Sequence, residues 1–168
     1  YKNTRYRFVQ TLPSFRTLFC RGRLMKSHIL SFDIEGFLES SEEVLDVPAK
    51  YRSTQGESRE IEVNTMKILE VLSRHNVRAT FFVLGRIARD IPRLVRTIAD
   101  AGHEIGSHSY FHRRLFNFSP EQTRAALRDS KHALEDASGT AVVGFRAPDF
   151  SIVRSNQWAF DLLQEEGF

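Results

Sequence analysis

Two histidines stand four apart in the segment His108-Ser109-Tyr110-Phe111-His112. A helical or tightly turned segment would bring both imidazoles to one side, an arrangement suited to a transition metal. With six histidines in 168 residues, chance supplies roughly 0.2 such pairs, so the spacing motivates a metal site without establishing one. Asp33 and Glu35 are two apart. On a strand their side chains share a face while Ile34 turns into the core, although acids at a strand end can also simply meet water. Two histidines and one carboxylate make a three-ligand site with positions left for water, and the second carboxylate is then free to act as a base. Arg146 could pair with that base and orient it, or form an ordinary surface ion pair. Cys20 is the one cysteine, which excludes an internal disulfide and any cysteine-based zinc site.

The elements that must position these groups alternate in type. Residues 28–33 read as a buried strand, and the polar stretch 38–58, which has neither period, reads as a long loop. Residues 60–74 place Ile61, Ile68, Leu69 and Leu72 on one helical face, and 77–84 follow as a strand that Gly85 ends. A helix over 91–101 stops at Gly102, and 103–107 form a third strand. Ser119-Pro120-Glu121-Gln122 carries a capping-box helix start. The helix runs to about Ser138 with an inward stripe of Thr123, Leu127, Ser130, Leu134 and Ala137, and Gly139 closes it. Residues 141–145 give a fourth strand, and the chain from Ser155 onward is helical in pattern.

Strand then helix, about four times over, implies an α/β fold with parallel strands and right-handed crossovers, in a barrel or an open wound sheet. Both architectures build their sites at the carboxyl ends of strands. Asp33 and Glu35 end the first strand, His108 and His112 follow the third, and Arg146 with Asp149 follows the fourth. The second ends in Leu84-Gly85 and offers nothing comparable. His28, His75, His103 and His132 lack such placement and read as structural or solvated.

Composition narrows the partners. The chain is 41% hydrophobic with a net charge of +3, which excludes disorder and collagen-like structure. Residues 1–24 hold six basic residues and no acid, leaving 18 basic and 21 acidic residues in the remainder. The body is thus mildly acidic, against nucleic-acid binding. Met25 is expected to open the domain, 25–168, with 1–24 a basic extension outside it. No apolar run approaches the roughly 20 residues of a membrane span, and no secretory signal is visible, so a cytoplasmic location is expected.

The ordered motifs SFDIEG, HSYFH and RAPDFS, with ATFFVLG and AGHEIGSH between them, resemble the NodB-homology polysaccharide deacetylases of carbohydrate esterase family 4. The resemblance runs from about Met25 to Phe168. It is strongest to the bacterial exopolysaccharide-locus branch with an F-D-V-E type first motif. It implies a distorted (β/α) barrel, here incomplete at its carboxyl end, that hydrolyses N-acetyl groups from amino sugars of a polysaccharide or oligosaccharide with a divalent metal, usually zinc. His108 and His112 match the histidine ligands. Most members have T-F-D-D-G where this chain has S-F-D-I-E-G, so the resemblance implies Asp33 as general base and Glu35 as the displaced ligand, the alternative being Asp33 as direct ligand. Arg146 matches the arginine that orients the base, and Asp149 the position whose backbone N–H helps hold the oxyanion. The family's usual proton donor, a histidine in a later motif, has no counterpart up to Phe168.

Two other functions compete with this one. A cyclic-amide amidohydrolase of the same fold would share the Asp and His geometry, and a glycan-binding relic would keep the fold without catalysis. Four βα units leave a sheet edge open, so the chain alone is expected to be poorly soluble or oligomeric. A sharp monomer peak in size exclusion together with a cooperative melt would count against that expectation.

Overall fold

The computed structural model describes residues 28–41 and 54–168. The basic segment 1–24, which includes Cys20, and Met25 after it lie outside them. Strands β1 (Ser31–Ile34), β2 (Thr80–Val83), β3 (Glu104–Ser107) and β4 (Gly144–Phe145) form one sheet in the order β1-β2-β3-β4, every pair parallel. An order that follows the chain without reversal is that of a singly wound (β/α) barrel wall. A doubly wound sheet would reverse at a switch point.

Strand pleating sorts the residues into two faces. Ile34, Phe81, Val83 and Ile105 are buried and join one core with Ile61, Leu69 and Leu72 of α2 (Thr54–Arg74), Leu94, Val95 and Ile98 of α4 (Pro92–Asp100), and Leu134 of α5 (Pro120–Ser138). The opposite face carries Ser31, Asp33, Thr80 and Phe82, and the register aligns Asp33 with Phe82, Phe82 with Gly106, and Gly106 with Gly144. Glycines in that row have a steric cause. A Cβ on Gly106 would fall 2.6 Å from Phe82 Cδ1, so the phenyl ring lies across the strand only because no side chain stands there.

Helix α5 forms as its sequence specifies. Ser119 Oγ accepts the Gln122 N–H at 3.3 Å, Gln122 Oε1 accepts the Ser119 N–H at 2.9 Å, and Gly139 ends the helix at φ 71°. Its five inward residues are all buried. Elsewhere the structure corrects the sequence expectations. The stretch 38–58 is not a loop throughout, because α1 (Phe37–Ser41) occupies its start and α2 begins at Thr54; residues 42–53 lie outside the described residues. The first strand is Ser31–Ile34 rather than 28–33, and the fourth is two residues long rather than five. The chain from Ser155 begins in a 3-10 turn, with α6 at Trp158–Glu165.

Gly85 does not merely end β2; it opens a further helix, α3 (Gly85–Asp90). The residue is glycine because α5 comes too close for a side chain: a Cβ would fall 2.7 Å from Ser130 Cα and 2.8 Å from Tyr110 Cδ2. In an open helix alanine would be favoured over glycine by about 1 kcal/mol, whereas overpacking against backbone costs about 1–3 kcal/mol. Gly85→Ala is therefore expected to lower Tm in thermal unfolding. An unchanged or raised Tm would mean that α3 and α5 have room to separate.

Candidate active site

The carboxyl ends of β1, β3 and β4 bring together the residues singled out from the sequence. Glu35 Oε2 lies 2.9 Å from His112 Nε2 and 3.3 Å from His108 Nε2, and the three ligand atoms all lie within 4.8 Å of one another. Asp33 stands apart from them. Its Oδ1 accepts a 2.6 Å hydrogen bond from Arg146 Nη1, whose Nη2 donates to Ser31 Oγ at 2.7 Å.

The segment between the histidines is a turn rather than a helix. Ser109 adopts φ 70°, a left-handed conformation that costs a non-glycine residue about 1–3 kcal/mol. Buried hydrogen bonds hold it there. The Ser109 carbonyl accepts the Gly85 N–H at 2.9 Å and the Ser130 hydroxyl at 2.9 Å. With its one proton so used, Ser130 Oγ accepts from Ser107 Oγ at 2.8 Å, and Ser107 Oγ accepts the Ser109 N–H at 3.2 Å. The turn thus aims both imidazoles at Glu35.

His108 is almost wholly buried, and its Nδ1–H donates to the Arg146 carbonyl at 2.8 Å. The neutral ring therefore presents a lone pair at Nε2. That lone pair faces a carboxylate oxygen, and Glu35 Oε2 is itself buried without an aligned hydrogen bond. Three converging electron-pair donors, two nitrogens and one oxygen, fit a divalent cation of the zinc type. Among the described residues this is the one cluster of three or more such side chains.

Electrostatics in the metal-free protein follow from the same contacts. Burial would raise the Glu35 carboxyl, but the facing His108 and His112 rings, when they carry an extra proton, outweigh it and lower it to about 2. Burial likewise works to lower His112, and contact with the Glu35 carboxylate raises it above the ordinary histidine value instead.

Around this centre the structure adds residues that the sequence did not single out. Phe82 lies under Arg146, with the guanidinium carbon 4.2 Å from the ring centroid, a cation–π geometry. The second strand thus does contribute, against expectation. Ser31 shares the face of Asp33 and Glu35 by period two, a signal legible in SFDIEG. Asp149 sits in a left-handed turn at φ 51°, with Phe150 at φ 50°, and its Oδ2 accepts from Arg114 Nε at 2.8 Å, tying this turn to the one that carries His112. A cleft of about 260 Å³ opens beside Asp33 and Glu35, walled by Glu60, Asn64 and Ile68 of α2. Of the other histidines, His28, His75 and His132 are exposed, and His103 Nδ1 accepts the Ala79 N–H at 3.2 Å in a structural role.

A cation and a proton compete for His112 Nε2. Because Glu35 holds the proton on His112 more tightly than usual, divalent-metal affinity is expected to fall as pH is lowered, the fall beginning while the pH is still above the ordinary histidine pKa of about 6.5. The fall should reach about tenfold per pH unit for one proton displaced. Zinc titrations from pH 8 to pH 5 read this directly, and a flat profile would exclude the imidazoles as ligands.

Comparison with known proteins identifies the family. Residues 55–160 match the family profile described as polysaccharide deacetylase. The chain is 38% identical over 96 residues to a peptidoglycan-N-acetylglucosamine deacetylase of Bacillus cereus, a match covering 56% of this chain and 35% of that protein. It superposes on a family 4 carbohydrate esterase from Streptomyces lividans, solved with acetate, with a TM-score of 0.61 at 25% identity over 83% of this chain and 58% of that one. It also superposes on a family 4 pseudoenzyme from Bacillus anthracis, with a TM-score of 0.57 at 32% identity over 61% of this chain and 37% of that one. The chain spans well under half the length of the curated relatives it matches. No described helix is long and apolar enough to cross a membrane. With a matched profile over more than half its length, a parallel (β/α) sheet shared with solved members and a donor cluster at the strand ends, the chain belongs to the polysaccharide deacetylase family.

Proposed function

We propose that this chain carries the metal site and base of an N-deacetylase acting on N-acetylated amino sugars of a polysaccharide or oligosaccharide. The observation that carries the reading is the separation of two carboxylates at the end of one strand: Glu35 lies with two buried imidazoles, while Asp33 lies with a guanidinium. Glu35, His108 and His112 would hold a divalent cation, zinc by the chemistry of the donor set. Such an ion supplies Lewis acidity, polarising an acetyl carbonyl and making a nearby water easier to deprotonate.

This chain's residues do the rest. Asp33 takes the proton of the attacking water as general base. Arg146 orients it through Oδ1 and is itself fixed by Ser31 and by the Phe82 ring. The backbone N–H of Asp149 would donate to the oxyanion that develops on the acetyl oxygen. The cleft beside Asp33 gives the sugar chain an approach. Hydrolysis yields acetate and a free amine on the sugar.

The test has two parts. Mass spectrometry of metal content is expected to find about one zinc per chain, lost in His108→Ala/His112→Ala under equal loading. Acetate release from N-acetylglucosamine oligomers is expected to fall about 10²–10⁴-fold in Asp33→Asn with the metal retained. Ring opening of a cyclic amide without acetate would replace this reading with the amidohydrolase one. Saccharide binding indifferent to chelator and to Asp33→Asn would replace it with a binding relic.

A further inference from the structure

Glu35 and the two histidines reach the centre from separate elements, and one residue is bonded to both sides. Arg86 is the second residue of α3. Its backbone N–H donates to the Tyr110 carbonyl at 3.1 Å, beside the Gly85 bond to Ser109 at 2.9 Å, so the first turn of α3 carries the segment between His108 and His112. Its guanidinium faces the other way. Nε and Nη2 grip the carboxylate of Glu39 in α1, Nη2 stands 3.9 Å from Glu57 Oε2 of α2, and Nη1 bonds Asp90 at 2.9 Å. The pairs with Glu39 and Glu57 are not solvated surface pairs, since the side chains of Glu39 and Glu57 are each only 10% exposed and that of Arg86 22%.

Glu57 completes the connection. Gly36 precedes α1 and has no side chain with which to cap it. Glu57 Oε1 supplies the acceptor from α2 instead, taking the Leu38 N–H at 2.9 Å and approaching the Glu39 N–H at 3.4 Å. The approach is close: a Cβ on Gly36 would fall 2.0 Å from Glu57 Oε1. Glu35 is covalently adjacent to Gly36, so the placement of the first turn of α1 fixes where the Glu35 carboxylate can sit.

We infer that Arg86 is a positioning residue that sets the spacing between Glu35 and the His108/His112 pair. Its backbone holds the histidine turn, its guanidinium holds α1, and Glu57 is the remote cap that registers α1 against α2. The inference rests on the metal reading of those three side chains. Groups that orient metal ligands typically govern affinity by 10- to 100-fold, whereas an ion pair that merely adds stability would change melting and leave the coordination of a bound ion alone.

Cobalt(II) titration of the chain, followed by visible absorption, separates the two. Arg86→Met keeps the backbone bond to Tyr110 and removes the guanidinium. It is expected to weaken cobalt binding about tenfold or more and to shift the absorption of the bound ion. Glu57→Leu should do the same, while Glu57→Gln, whose amide oxygen can still accept the Leu38 N–H, should stay within about twofold of the parent. Parent-like affinity and spectrum in Arg86→Met and Glu57→Leu would overturn the inference. Should circular dichroism show Arg86→Met unfolded, the Glu57 pair decides: loss in Leu alone supports the assignment, and equal behaviour of Leu and Gln overturns it. A parent chain that binds no cobalt brings down the metal reading first, and this inference with it.

Discussion

The Nδ1–H of His108 is committed to the Arg146 carbonyl at 2.8 Å, so the neutral ring can turn only a lone pair toward Glu35 Oε2, 3.3 Å away. His112 brings a second ring nitrogen to the same oxygen at 2.9 Å. Acceptors facing one another away from water cost about 1–3 kcal/mol each when nothing positive lies between them. A proton or a cation relieves the conflict, and the surrounding structure is arranged to maintain it. The buried serine network around Ser109 keeps the turn in its left-handed form, Gly85 lets α3 come close enough to donate to it, and Gly106 gives Phe82 the space from which it supports Arg146.

A strand pleat makes the division of labour between the two carboxylates possible. Residues two apart share a face but stand nearly two residue rises apart along it, roughly 6–7 Å. Asp33 is therefore in the reach of a guanidinium and Glu35 in the reach of the imidazoles, and neither competes for the other's partner. An adjacent pair would have been sent to opposite faces by the same pleat, unless the second residue had already left the strand.

Much of this was legible in the sequence because the responsible signals are local. Helix α5 carries its cap, its proline, its apolar stripe and its closing glycine within its own residues, and each acts as its chemistry dictates. The strand-end placement of Asp33, Glu35, His108, His112 and Arg146 followed from alternation alone. What could not be read depends on approach between distant segments. The start of α2 is polar and lacks an apolar stripe, so it resembles a loop until Glu57 is seen capping α1 from nineteen residues away. Gly85 resembles a breaker because nothing local distinguishes a glycine that ends a strand from one that lets a helix touch Ser130. Phe82 resembles an ordinary strand aromatic, since the vacancy above Gly106 belongs to a different strand.

Arg146 joins the two halves of the centre through chemically different parts of one residue. Its guanidinium holds Asp33, and its carbonyl fixes the tautomer of His108. Its own N–H donates to Ser107 at 2.9 Å, so the backbone position is set by the sheet and not by the side chain. Substituting the side chain accordingly leaves the carbonyl in place to hold His108, while Asp33 loses its orienting partner. Asp33 and His108 are thus mechanically coupled through the fold and chemically separable at a single position. The carboxylates are held by side-chain contacts, Arg146 for Asp33 and the capped first turn of α1 for Glu35, whereas the histidine turn is held by backbone hydrogen bonds from α3 and by the Ser130 hydroxyl of α5.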